Sequence, residues 1–63
     1  MTEILERLEK YGEIMIMDAE DRSYMIFVTN EDYPEVEDIL KSNTSWYESE
    51  RNDYGNWGID FRL

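Results

Sequence analysis

Carboxylates are the most abundant chemically capable side chains in this chain, and they are unevenly spaced. From Glu31 to Asp38 five of eight residues are acidic and none is basic. Read as a helix, Glu31, Glu35 and Asp38 fall four and three residues apart and form one outward stripe opposite Val36, Ile39 and Leu40. Neighbours on such a stripe stand about 5–6 Å apart. Successive phosphates along a nucleic-acid strand are spaced on a comparable scale, about 3.4 Å of rise plus the winding. Asp32 adds charge at the helix start. Further acids fall at Asp18, Glu20 and Asp21 in a loop, at Glu48 and Glu50 on a strand, and at Asp53 in the last turn. Acids so placed can hold a cation, share a proton in acid–base catalysis, or stand in for phosphates before a basic surface.

The first two chemistries fail on spacing and on missing partners. With Asp18 as the first ligand of an EF-hand loop, Arg22 falls fifth, Ser23 sixth and Thr29 twelfth. With Asn30 first, Pro34 falls fifth and Lys41 twelfth. Both registers lack the glycine and the bidentate glutamate that the loop needs. Catalysis has no base to work with. The chain contains no histidine to activate Ser23, Ser42, Ser45 or Ser49, and Lys10 and Lys41 fall on helix surfaces. Its glycines, Gly12, Gly55 and Gly58, make no phosphate-cradling loop. A two-carboxylate glycosidase would need a cleft that a chain of 63 residues cannot build. The expectation is a non-enzyme with no metal and no cofactor.

The whole composition narrows the third chemistry. Sixteen acids against six bases leave a net charge of −10. Such a body repels nucleic acid and anionic membrane surfaces alike. Solubility alone needs a magnitude of only about 2–8 in a small domain, so the surplus points to use. Without cysteine there is neither a disulfide framework nor a zinc site. No apolar run is long enough to span a bilayer, and the first residues do not read as a signal peptide, so the expected compartment is the cytoplasm. Hydrophobic residues at 41% fall in periodic clusters, which argues for a folded chain rather than a disordered one.

The elements that position these residues read as α-β-β-α-β-β in one domain, residues 1–63. Residues 2–11 are expected to form a helix with Thr2 as N-cap and Gly12 as C-cap. Its inward stripe is Ile4, Leu5, Leu8 and Tyr11; Glu3–Arg7 and Glu6–Lys10 are outward pairs four apart. Residues 13–17 and 23–29 form a hairpin. On it Ile14, Ile16, Tyr24, Ile26 and Val28 share one face, and Met15, Met17, Met25 and Phe27 the other. A second helix covers 33–42, with Asp32 and Glu35 as a capping-box variant, Pro34 in the first turn and Asn43 just past the end. Residues 44–51 and 57–63 form a second hairpin, with Trp57, Ile59, Phe61 and Leu63 inward and Gly58, Asp60 and Arg62 outward. The fold class is α+β, a four-stranded antiparallel sheet with both helices on one face. Each half reads as helix then hairpin.

Two apolar features remain unassigned. Trp46, Tyr47, Tyr54 and Trp57 crowd the second hairpin among acids, and of the adjacent pair Trp46 and Tyr47 one must face away from the core. An aromatic beside carboxylates suits an incoming arginine. The Met15, Met17, Met25 and Phe27 face needs a cover: the second hairpin, a partner or another copy. A small, strongly acidic α+β chain without His or Cys, with aromatics among its acids, resembles the phage-encoded inhibitors that mimic nucleic acid, anti-CRISPR proteins among them. That resemblance implies a protein that occupies and blocks a basic nucleic-acid groove, in the host cytoplasm. Its expected partner is a basic nucleic-acid-binding protein, bound through Glu31, Asp32, Glu35, Asp38, Asp18, Glu20, Asp21, Glu48, Glu50, Asp53 and Tyr54. The alternative is an interaction module (an antitoxin, immunity protein or regulatory subunit) that binds through the apolar Met/Phe face, by which a homodimer could also form.

Overall fold

The computed structural model describes residues 3–52 and 55–63. Thr2, Asp53 and Tyr54, expected as an N-cap and as turn contacts, lie outside the described residues. The element order is α1 (Glu3–Leu8), β1 (Ile14–Asp18), β2 (Ser23–Thr29), α2 (Tyr33–Asn43), β3 (Trp46–Arg51) and β4 (Asn56–Arg62). All strand pairs are antiparallel, in the order β1-β2-β4-β3. The two helix–hairpin halves therefore join through their second strands, and their first strands become the edges.

Alternation along β2 and β4 decides which face is covered. The β2–β4 register pairs Tyr24 with Phe61, Ile26 with Ile59 and Val28 with Trp57. These residues face the helices. Ile4 and Leu8 of α1 and Val36 and Leu40 of α2 meet Ile26, Val28, Ile59 and Phe61 in the core. Tyr24 stacks on Phe61, and Tyr33 on Trp57 with centroids 4.0 Å apart. Ile16 shares this face but lies on edge strand β1 beyond the reach of either helix. It is 69% exposed rather than buried.

α1 is shorter than the 2–11 reading. Its last turn tightens, with Tyr11 N–H donating to the Leu8 carbonyl at 2.9 Å, and the chain then crosses β2. A Cβ on Gly12 would lie 1.9 Å from the Phe27 carbonyl oxygen. Gly12 is thus required for close approach of two backbones; the left-handed cap conformation expected of it is absent. Because Lys10 lies past the end of α1, the Glu6–Lys10 pair loses its helical geometry. Neither it nor Glu3–Arg7 closes into an ion pair among the described residues.

The ends of α2 also differ from expectation. Asp32 precedes the helix in αR geometry and makes no side-chain cap. Its amide is instead held in a turn by the Thr29 carbonyl at 3.1 Å. The helix runs through Asn43, whose Nδ2 donates to the Ile39 carbonyl at 2.8 Å, and Thr44 Oγ1 donates to the Leu40 carbonyl at 2.6 Å. These side chains satisfy the terminal carbonyls without a glycine. No helix among the described residues is long and apolar enough to cross a membrane.

Candidate functional site

The fold divides the nine described residues of the sequence-derived set among separate surfaces. Glu35 and Asp38 stand exposed on α2, on the helix side of the sheet. Glu31 is exposed in the turn before α2, so the three-residue helical stripe reduces to Glu35 and Asp38, with Glu31 and Asp32 at its approach. Glu35 is partly engaged. The Tyr11 hydroxyl is raised above its usual pKa of 10.0, first by hydrogen bonding toward the Glu35 carboxylate, then by burial and the charges of Glu35 and Asp32.

The β1–β2 turn carries Asp18, Glu20 and Asp21. Asp18 Oδ1 accepts the amides of Glu20 at 3.0 Å and Asp21 at 3.2 Å, so this carboxylate shapes the turn. Asp21 pairs with Arg62 at 3.9 Å. Arg22 in the same turn has φ of 59°, a left-handed conformation uncommon outside glycine. Its carbonyl accepts the Leu63 amide at 3.1 Å, which ties the turn to the end of β4. Among the described residues no three acidic side chains converge closely enough to hold a metal ion.

Glu48 and Glu50 point the other way, onto the face without helices. The second hairpin extends the sheet instead of folding over it, so this face stays open. Its cross-strand rows follow from the register. One row runs Met15–Met25–Asp60–Glu48 across all four strands, and the next places Phe27, Gly58 and Glu50 side by side. Exposure here reaches 45% at Met15, 55% at Met17, 46% at Phe27 and 45% at Trp46. Two features that were separate in the sequence, the apolar Met/Phe set and a group of acids, therefore share one surface: apolar on β1–β2, acidic on β4–β3.

A shallow concavity of about 220 Å³ opens where the two halves of this face meet, lined by Met25, Phe27, Gly58, Glu48, Glu50 and Asp60, with Arg51 and Asn52 at the end of β3. Gly58 creates the room. A Cβ there would lie 3.2 Å from Cε1 of the Phe27 ring, which leans across it. Glu48 and Asp60 are direct cross-strand partners. Like charges in that position destabilise a sheet, and none of the three carboxylates forms an ion pair among the described residues. Among the described residues Arg51 is the one base that lines the concavity; Arg62, which shares this face by register, is taken up by Asp21 and by the Trp46 ring, 5.6 Å from its guanidinium carbon. Asp60 was readable only as an outward residue. Its place beside Glu48 depends on β3–β4 register, which spacing alone does not reveal.

Glu37, a further acid absent from the sequence-derived set, belongs to the interior side. The Tyr33 hydroxyl lies 3.0 Å from both Glu37 Oε2 and Ser49 Oγ. With one proton, it donates to the carboxylate and accepts from the serine. The Tyr47 hydroxyl donates to the same oxygen at 3.3 Å, and Lys41 lies 4.0 Å from the other. Burial first, then the Glu37 charge, raises the Tyr47 pKa above 10.0. This network fastens α2 to β3 and is structural.

Compared with known family models, curated proteins and solved structures, the chain matches none of them.

Proposed function

We propose that this protein is a non-enzymatic inhibitor that binds the basic nucleic-acid-binding surface of a target protein, its carboxylates taking the place of phosphates, in the manner of anti-CRISPR proteins. One observation carries the reading: a net charge of −10 is left almost wholly at the surface, with only two ion pairs, 3.9 and 4.0 Å long, among the described residues. Unneutralised acids on a small body accelerate encounter with a basic partner. Glu31, Asp32, Glu35 and Asp38 offer one charged surface; Glu48, Glu50 and Asp60 offer a second on the opposite side.

Capture of the target from lysate at low and high salt, followed by identification of the bound protein, tests this reading. The expected result is a nucleic-acid-binding protein captured at low salt and released at high salt, and a Glu35→Lys/Asp38→Lys variant that no longer inhibits it. Affinity indifferent to salt refutes charge mimicry.

A second reading, an antitoxin-like or regulatory module, is favoured by the exposed Met15, Met17 and Phe27. There the acids serve solubility and the partner is held by apolar contact. Met15→Ser with Met25→Ser then abolishes binding while changes on α2 leave it intact. A homodimer through Met15, Met17, Met25 and Phe27 belongs to the same reading, and its sign is a mass that doubles with concentration.

A further inference from the structure

We propose that the open face of the sheet is a docking surface for an arginine-bearing segment of a partner protein, one arginine side chain lying in the concavity over Gly58. The inference deepens the proposed function and rests on its premise of a basic partner; it adds to the charged surface of α2 a specific contact on the sheet. The floor of Met25, Phe27 and Gly58 suits the three methylenes of arginine, and the wall suits its head group, because the three carboxylates of Glu48, Glu50 and Asp60 outnumber the Arg51 cation that also lines the concavity. A volume of about 220 Å³ far exceeds the roughly 10–15 Å³ that one water requires, so a side chain can enter. Arginine fits better than lysine because its planar, weakly hydrated guanidinium stacks on an aromatic ring and pairs with carboxylates through two parallel bonds. Charge complementarity sets the occupant. The Glu48–Asp60 pair violates the usual sheet preference for opposite charges, and an arriving cation relieves it. Violations of local rules of this kind gather at functional sites.

The test is an NMR titration of the full chain, observing backbone amides and methionine methyls. The probe is a blocked glycine peptide carrying two arginines; the controls are the same peptide with glutamine and with lysine. The expected outcome is saturable shifts concentrated at Met25, Phe27 and Gly58, stronger for arginine than for lysine and absent for glutamine. Glu48→Gln with Asp60→Asn should weaken binding at least fivefold, and Glu35→Gln with Asp38→Asn less than twofold. Phe27→Leu, which keeps the floor apolar but removes the ring, should reduce the preference for arginine over lysine. Retained amide dispersion shows that each variant is folded. Shifts centred on α2 and indifferent to Glu48 and Asp60 overturn the inference while leaving a basic partner in place. Equal binding of the glutamine peptide, or shifts that track protein concentration without peptide, assign the face to apolar contact or to a second copy and overturn it as well. No arginine-dependent shift anywhere at low salt removes the basic-partner premise too.

Discussion

Single atoms decide several features of this molecule. At Gly12 the gap between α1 and β2 leaves no room for a side chain, because a Cβ would sit 1.9 Å from backbone. Gly12→Ala should cost about 3 kcal/mol, a large share of what so small a core supplies, and a denaturant midpoint measures it. Glu37 shows how residue type alone misleads. In the acidic run it looks like its neighbours, yet it receives two tyrosine hydroxyls and holds a helix to a strand. Tyr11 and Tyr47 give a test on the pH axis. Both have pKa values raised above 10.0, so the fold favours their protonated forms. Their contribution is fully present below pH 10.0 and is lost as pH rises through the raised values. Thermal unfolding from pH 9 to 11 should show the midpoint falling, and a Tyr11→Phe/Tyr47→Phe variant should fall less steeply.

Elements were legible where hydrophobic period and turn chemistry agreed. β2 follows its reading residue for residue, and β4 differs by one residue at each end, because alternation and a flanking turn fix both. α1 was read too long because Ile4, Leu8 and Tyr11 keep a helical period after the helix has ended. The period persists while the backbone tightens to clear β2. The acidic stripe was legible as composition but not as a surface. Strand order puts Glu48 and Glu50 on one side of the sheet and Glu35 and Asp38 on the other, and strand order is a long-range property that local patterns do not encode. The two edges also differ. β3 carries Glu48, Glu50 and Arg51, charges that deter pairing with another chain, whereas β1 is uncharged from Ile14 to Met17. At β3 the Glu48–Asp60 register makes a clear prediction. Glu48→Gln should stabilise the fold by about 0.5 kcal/mol by removing a like-charge pair. The unfolding temperature should rise by about 2–4 °C.

At the scale of the molecule, charge and fold oppose each other. Eight buried apolar residues among those described form the core, while a net charge of −10 drives the surface apart. Neither ion pair among the described residues is buried: Arg62, Asp21 and Lys41 are largely exposed and Glu37 is half-buried, and such pairs contribute little. Added salt therefore acts on two processes with opposite signs. Screening shortens the reach of like charges, from a Debye length of about 30 Å at 0.01 M to about 8 Å at physiological ionic strength, so the isolated protein should gain stability on the order of 1 kcal/mol over that range. The same screening removes the attraction that steers a basic partner, so association should slow and affinity should fall. The divergence is diagnostic. If binding were lost at high salt because the fold was failing, stability and affinity would decline together. If the acids served only solubility and the apolar sheet face did the binding, affinity would hold or rise with salt as stability rose. Calorimetric unfolding and binding isotherms across one salt series separate these cases, and the charge-mimicry reading requires the two curves to cross.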